Sequence, residues 1–163
     1  MSSQVLSAQL AVEPHLEAWI RFLRAHASLT RSLSARLEAD HGLTLNDYDV
    51  LVQLAYEPTR MLRRVDLARS VVLSPSGITR LLDGLEREGW VEKKQCDSDA
   101  RVTYAALTDA GMAKFKAARK THLVDVEAVF GSRYSPDELA AVSSLLGRLL
   151  DSDEPAKCLG EPS

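Results

Sequence analysis

Hydrophobic residues recur at steps of three and four in several stretches of this chain, which is the period of one face of an α-helix. Over residues 13–40 the pattern is sustained, Pro14 suits a first turn and Gly42 suits the end, so we predict one long amphipathic helix of about 25 residues. A second stretch begins after Thr44 and stops before Pro58. It predicts a shorter helix.

The middle of the chain changes to shorter elements. Residues 61–63 suffice only for a short strand, and residues 65–71 predict a small helix whose start lacks a good capping side chain. The next helix starts well, because Ser74 is a suitable N-cap and Pro75 fits the first helical position, and Gly89 fits its end. Its buried face is predicted to consist of Ile78, Leu81, Leu82 and Leu85.

Two β-prone runs follow, residues 90–95 and 102–107, and the polar loop 96–101 between them predicts a β-hairpin. Thr108 then caps a long helix to about residue 130, and Ser135 opens a last helix with a capping box. The long helix has the apolar stripe Met112, Phe115, Leu123, Val126 and Phe130. The last helix is expected to bury Leu139, Val142, Leu145, Leu146, Leu149 and Leu150.

The predicted fold is therefore mainly α with a small β-hairpin wing. Two short helices joined by a tight turn, the second followed at once by a hairpin, are typical of a winged helix-turn-helix. We expect a disordered arm at 1–12, a single domain at 13–150 and a disordered tail at 151–163. Within the domain we separate long terminal helices, 13–41 and 108–150, from a winged lobe, 44–107.

The distribution of charge along the chain indicates that its middle is the candidate DNA-binding part. The 163 residues are 45% hydrophobic and 26% charged, as in one ordinary globular domain, and the net charge of −3 at first argues against nucleic acid. Between Thr59 and Arg101, however, nine Lys/Arg face seven Asp/Glu, a balance of +2 that leaves −5 for the rest. A basic middle between acidic ends suits a DNA-reading core.

Several classes of protein are not indicated. The sequence has no secretion signal and no apolar run long enough for a membrane span, so we expect a cytoplasmic protein. Cys96 and Cys158 lie far apart, and the four histidines lack metal-binding spacing, so no metal or cofactor is expected. Without a phosphate-binding glycine loop or a nucleophile elbow, we also expect no enzyme.

The helix after Ser74 is the candidate recognition helix, which in this motif enters the major groove. Small residues crowd its start, where backbone N–H groups and the helix dipole favour phosphate, and Arg80 can take a phosphate or a guanine edge. Asp83 argues against DNA, and a plain surface helix is the alternative. The predicted DNA contacts here are Ser74, Pro75, Ser76, Gly77, Thr79 and Arg80.

Four further residues extend this candidate interface. Arg101 lies at the hairpin tip and suits a minor groove, whose negative potential attracts guanidinium, and Asp99 is placed to orient it by a salt bridge. The alternative for these two is a plain acidic turn. Arg63 and Arg64 are candidate phosphate contacts, with simple surface charge as the alternative.

Residues 73–111 read LSPSGITRLLDGLEREGWVEKKQCDSDARVTYAALTDAG, and they resemble the MarR family of transcriptional regulators. The resemblance rests on the SxSxxTR core, the GWV exit, and the wing D-x-R followed by a strand and LTxxG. The long flanking helices match the family's dimerisation layout, so the resemblance covers about 13–150. It implies a homodimeric, sequence-specific regulator of double-stranded DNA, a repressor, on a pseudopalindromic site with half-sites about 10 bp apart.

The apolar stripes of the terminal helices are independently consistent with a dimer, because they need something to cover them. The alternative is that these stripes form the core of a single chain.

The rival function is a winged-helix interaction module that never touches DNA. Such a module would show apolar or acidic residues on its exposed helix. A ligand-sequestering or antirepressor protein would lack the wing arginine.

The resemblance also implies a small phenolic or carboxylate effector, bound between the dimerisation helices and the winged lobe, that weakens DNA binding. The candidate contacts are Trp19, His26, Arg119 and His122. A core tryptophan and surface or interface histidines are the alternatives.

Cys96, at the base of the wing, is expected to be an inert thiol, with a redox sensor as the alternative. The hydroperoxide-sensing branch of the family instead uses a cysteine near its N-terminus.

Overall fold

The computed structural model describes residues 13–71, 75–95 and 101–150, so the predicted arm and tail lie outside it. Its elements in chain order are α1 (Pro14–His41), α2 (Leu45–Ala55), β1 (Met61–Arg63), α3 (Arg64–Ser70), α4 (Pro75–Arg87), β2 (Val91–Gln95), β3 (Thr103–Leu107), α5 (Asp109–Val129), a 3-10 turn (Gly131–Arg133) and α6 (Pro136–Gly147). This order confirms the predicted helical chain with a β-hairpin wing.

The long first helix is confirmed, with 28 residues in α1. It is followed by Gly42, whose φ of +63° lies in the left-handed region that favours glycine. The described residues up to Ser32 form one compact unit, and those from Leu33 onward form a second. No helix in the described part of the chain is long and apolar enough to cross a membrane.

The end of α1 is fastened to α5 by two polar contacts. Arg36 Nη1 lies 2.5 Å from Asp125 Oδ1, and His41 Nε2 lies 2.5 Å from Thr121 Oγ1. The first pair joins opposite charges on a partly exposed surface, so its contribution to stability is modest. Both contacts join the C-terminal end of α1 to α5.

The core of the second unit forms around α2, which is buried on more than one side. Thr44 and Asp47 form the capping box that starts this helix. Phe115 of α5 is fully buried, and its ring centre lies 6.0 Å from those of both Tyr48 and Tyr56. Since large buried aromatic rings contribute much of a small core, this cluster holds α2 and α5 together.

The three strands form one antiparallel sheet in the order β1, β3, β2. The hairpin pairs Val91 with Leu107 and Gln95 with Thr103, as predicted. β1 pairs with the other edge of β3, so that Arg63 lies opposite Tyr104. The sequence predicted the short strand but not this pairing, because a three-residue run carries no information about its distant partner.

The predicted helix after Ser74 is confirmed as α4, and Gly89 beyond its end has a φ of +73°. Ile78, Leu82 and Leu85 are each at most 2% exposed, and the predicted fourth core residue, Leu81, is partly buried. α3 packs against α4 and lacks a side-chain cap, as its sequence indicated.

The base of the wing is joined to the start of α5 through Thr108. Its hydroxyl donates to the carbonyls of Gly89 and Trp90 at 2.7 and 3.1 Å and accepts from the N–H of Gly111 at 3.0 Å. At Gly111 a Cβ atom would overlap the Trp90 carbonyl oxygen, so a glycine is needed there for the close approach. Lys114 lies over the Trp90 ring, 4.6 Å from its centre.

The two C-terminal helices differ from expectation in burial. Met112 and Phe115 of α5 are buried as predicted, but Leu123 further along the same stripe is 47% exposed. α6 starts with the predicted Ser135 capping box, yet it buries none of its residues and ends at Gly147 rather than continuing to residue 150. Among residues 13–71, 75–95 and 101–150 nothing buries this stripe, so within that part of the chain the alternative of a single-chain core is wrong.

Candidate nucleic-acid interface

The exposed side of α4 is polar at its start. The inward positions of this helix lie three or four residues apart, so the residues between them point away from the core. Ser76 and Arg80 are exposed, and Gly77 and Thr79 are partly exposed. Four of the predicted contacts thus lie together at the accessible start of α4. The apolar face of the same helix packs into the core of the lobe.

The acidic residues of α4 are paired with the wing. Lys93 Nζ on β2 contacts the carboxylates of both Asp83 and Glu86, the second at 3.0 Å. The hydrogen bond to Asp83, followed by that to Glu86, raises the pKa of Lys93. The negative charge of Asp83, which argued against a DNA-facing helix, is therefore compensated, and α4 is connected to the wing.

Sequence reasoning missed the role of Lys93. Asp83 and Glu86 lie three residues apart and so share one helical face, which was a usable signal for a basic partner. The position of β2 beside that face could not be predicted from the sequence. All four residues after Val91 in this strand are exposed, so the strand shows no alternation of buried and exposed side chains.

A cleft of about 130 Å³ separates the start of α3 from the wing. Its lining consists of Arg63, Arg64, Val65, Arg101, Val102 and Thr103. The structure thus brings together three predicted site residues, the arginines, from positions almost 40 apart in the chain. All three arginine side chains are exposed.

Arg64 also contacts the candidate recognition helix. Its Nη1 lies 3.4 Å from the hydroxyl oxygen of Thr79, which is a long hydrogen bond. A residue predicted only as a phosphate contact thus links the beginning of α3 to α4.

Three predicted residues lie outside the described part of the chain: Ser74, Asp99 and Cys96. Their roles as N-cap, partner of Arg101 and thiol stay predictions. Pro75 is the first residue of α4, as expected from its fixed backbone, but its side chain is also outside the description.

The candidate effector residues on α1 belong to an exposed aromatic row. The ring centres of Trp19 and Phe22 are 6.0 Å apart, and those of Phe22 and His26 are 6.3 Å apart. Trp19 is 55% exposed, so the alternative of a core tryptophan is wrong for the single chain.

The candidate effector residues on α5 are Arg119 and His122, and the latter is packed into the lobe. The His122 ring centre lies 4.6 Å from that of Tyr48, and its Nδ1 is buried without a hydrogen-bond partner among the described residues. Burial lowers the pKa of His122 below its ordinary value, and the nearby Asp125 carboxylate opposes this shift. Among the described residues no group of three His, Cys, Asp or Glu is arranged to hold a metal ion.

Comparison with known proteins gives a consistent result. The family model for the MarR family matches residues 43–103. The HTH-type transcriptional regulator YkoM of Bacillus subtilis is 33% identical over 128 residues, which cover 78% of this chain and 80% of the relative. This chain belongs to the MarR family.

Two other comparisons extend the likeness. The HTH-type transcriptional repressor YetL of Bacillus subtilis is 29% identical over 113 residues, 69% of this chain and 67% of YetL. The crystal structure of Sco3205, a MarR family transcriptional regulator from Streptomyces coelicolor in complex with DNA, superposes with a TM-score of 0.78. It is 27% identical and covers 86% of this chain and 88% of Sco3205. The present chain is thus a transcriptional regulator with the winged helix-turn-helix fold.

Proposed function

We propose that this regulator binds double-stranded DNA sequence-specifically as a homodimer and represses transcription from a pseudopalindromic operator. The observation that carries the proposal is the polar start of α4, with Ser76, Thr79 and Arg80 accessible beside a wing that bears Arg101. A helix of this kind reads base edges in the major groove while a wing arginine reaches the minor groove. The DNA complex of Sco3205 and the repressor name of YetL support the assignment.

To test DNA binding, the full chain is used to select duplexes from a random pool. The affinity of the protein for a selected duplex is then measured across a salt titration. Arg101→Ala is expected to weaken binding to many sequences alike, because a wing arginine contacts the backbone and groove. Arg80→Ala is expected to cost about 1 to 3 kcal/mol at the selected site and to relax its sequence preference. Lys120→Ala, which removes an exposed charge from α5, serves as the control and should bind as the parent does. Equal affinity of all four proteins would overturn the roles of α4 and the wing.

The homodimer is supported by uncovered apolar residues on the terminal helices. Leu16, Trp19, Ile20, Phe22 and Leu23 of α1 and Leu145, Leu146, Leu149 and Leu150 at the C-terminal end are 39% to 69% exposed. Single chains rarely leave this many large apolar side chains in water, and a second copy is the simplest cover for them.

Self-association is tested by sedimentation. Leu149→Asp should shift the protein toward monomer, because Leu149 is 69% exposed and the protomer's own core does not need it. Val65→Asp places the same charge on an exposed valine of the winged lobe and should leave the dimer intact. Dimers of unchanged strength in Leu149→Asp would remove the segment that follows α6 from the interface.

The remaining expectations follow from the same assignment. We place the protein in the cytoplasm, as expected for a DNA-binding regulator with no helix long enough to span a membrane among its described residues. We assign it no catalytic activity, since the members of its family are regulators. A small phenolic or carboxylate compound is the proposed effector, with Trp19, His26, Arg119 and His122 as candidate contacts. If such a compound releases the selected duplex from the parent but no longer releases it from His122→Ala, the result would support this site.

A further inference from the structure

The outer face of α4 carries a second arginine, Arg87, near the end of the helix, and it is exposed. At about 100° a residue, Ser76, Arg80 and Arg87 fall within about 40° of one another around the helix axis, opposite the buried stripe. From Arg80 to Arg87 the helix rises about 10.5 Å, and the major groove is about 12 Å wide. A helix that places Arg80 at the base edges therefore brings Arg87 to the sugar-phosphate backbone at the edge of the groove.

Two contacts with its own helix locate the Arg87 guanidinium. Nε donates to the backbone carbonyl of Asp83 at 3.3 Å, and Nη2 lies 4.0 Å from where a Cβ of Gly84 would be. The group therefore lies back along α4 over Gly84. The carbonyl is neutral, and no carboxylate within residues 13–71, 75–95 and 101–150 forms an ion pair with Arg87. Its positive charge is thus left for a ligand on the exposed side of the helix.

This lack of an ion pair is informative, because Asp83 lies four residues before Arg87 on the same helix. Opposite charges at this spacing are neighbours on a helix, and an acidic residue on the N-terminal side is the favourable order. The Asp83 carboxylate instead contacts Lys93 Nζ of β2, which also contacts Glu86 at 3.0 Å. The carboxylate best placed to pair with Arg87 is therefore held toward the wing by Lys93.

We propose that Arg87 contacts a phosphate of bound DNA at the far end of the recognition helix, and that Lys93 keeps Arg87 available by holding the Asp83 carboxylate away from it. A guanidinium suits this task, because its forked N–H donors match two oxygens of a phosphate. Lys93 is a positioning residue, which acts on DNA through Asp83 and Arg87. The inference rests on the proposed function, because it extends the DNA contacts of α4 beyond the polar start of the helix.

The phosphate contact is tested with the full chain and a duplex selected by it, in which single phosphates are replaced in turn by uncharged methylphosphonates. At one position in each half-site the loss of affinity should be about tenfold in the parent and below about twofold in Arg87→Gln, with the other positions unchanged. The slope of log affinity against log salt should decrease by about one unit. Arg80→Gln, another exposed arginine of α4, is the matched control: it should weaken binding but leave the tenfold loss at the mapped position.

The role of Lys93 is tested by a double-mutant cycle with Arg87. Lys93→Gln releases the Asp83 carboxylate to pair with Arg87, so it should weaken binding and reduce the loss at the mapped position. In the Arg87→Gln background, the same Lys93→Gln change should alter affinity by less than about twofold, because no guanidinium is left for Asp83 to take. In the Asp83→Asn background, Lys93→Gln should leave the mapped loss as in the parent. All of these side chains are exposed, so thermal unfolding should show that each variant is folded.

Failure of this inference can be told from failure of the proposed function. If the parent binds its selected duplex and the losses at all positions are the same in Arg87→Gln, then Arg87 does not contact a phosphate, while DNA binding stands. If Lys93→Gln costs as much affinity in the Arg87→Gln background as in the parent, Lys93 does not act through Arg87 and its positioning role is overturned. A parent that binds no duplex in dilute salt would overturn both proposals.

Discussion

The winged lobe and the terminal helices carry the same three-and-four spacing of apolar residues but differ in what covers them. In the lobe, Ile78, Leu82 and Leu85 of α4 are at most 2% exposed. In α6, whose stripe is just as regular, no residue is buried. Periodicity therefore tells which face of a helix is apolar, but the partner of that face can be the same chain or another one.

This difference assigns two tasks to two regions. The lobe buries its own core and can hold a rigid polar surface toward DNA. The terminal helices keep their apolar surface for association, so their burial depends on protein concentration.

The largest effect is expected from Phe115→Ala, on the part of α5 that packs against α2 of the lobe. Phe115 is fully buried between Tyr48 and Tyr56, so its removal leaves a cavity and should lower the free energy of unfolding by about 3 to 5 kcal/mol. Denaturant unfolding at a fixed protein concentration measures it. Leu123→Ala, on an exposed position of the same helix, should cost far less at concentrations where the protein is monomeric. Equal costs would mean that the two regions are not distinct.

The next effect concerns the joint between the wing and α5. Gly111→Ala should destabilise the protein by about 1 to 3 kcal/mol, because the added methyl group overlaps the Trp90 carbonyl and backbone must move. Gly147→Ala is the matched control, since nothing lies within 4 Å of a Cβ there, and it should be neutral or slightly stabilising. A Gly111→Ala variant as stable as the parent by thermal unfolding would contradict the close packing at this joint.

A pH dependence is expected from His122. Burial lowers the pKa of this ring in the folded state, whereas in the unfolded chain the ring titrates near 6.5. As pH falls through 6.5 toward the folded value, the unfolded state takes up the proton first, and the free energy of unfolding decreases. His122→Phe keeps a ring against Tyr48 and cannot be protonated, so it should lose less stability than the parent between pH 7.5 and 5.5.

Denaturant unfolding across this pH range is the measurement. The Asp125 carboxylate opposes the shift, so removing it in Asp125→Asn should steepen the loss in a protein that retains His122. Identical pH profiles for the parent and His122→Phe would remove His122 as the cause.

The smallest effect is expected at Lys93. Its ion pairs with Asp83 and Glu86 are substantially exposed, so Lys93→Gln should change the free energy of unfolding by less than about 1 kcal/mol. DNA affinity should fall more than in Lys94→Gln, because Lys94 pairs with Glu92 of its own strand whereas Lys93 compensates two carboxylates on α4. The two variants lose the same charge, so equal losses of affinity would contradict a special role for Lys93.

The sequence was informative where structure is local. α4 has Pro75 at its start, Gly89 after its end and one apolar stripe, and each of these features acts within a few residues. The helix start after Thr44 and the capping box at Ser135 were predicted for the same reason, whereas the capping box that Thr44 forms with Asp47 was not.

Contacts between residues that are distant in sequence could not be predicted from the sequence alone. The pairing of β1 with β3, the approach of Lys93 to α4 and the cleft shared by Arg63 and Arg101 depend on how the elements pack. The five arginine and threonine positions named as DNA contacts were chosen for their chemistry, and only the fold brings Arg64 beside Thr79.

The central claim is that two copies of one lobe present α4 and the wing to DNA, held together by the terminal helices. A hydroxyl-radical footprint on the selected duplex, with the protein stoichiometry measured by sedimentation, tests it most directly. The account predicts two protected patches on one face of the duplex, about 10 bp apart, with two protomers bound. One protected patch with one protomer, or no protection in dilute salt, would contradict it.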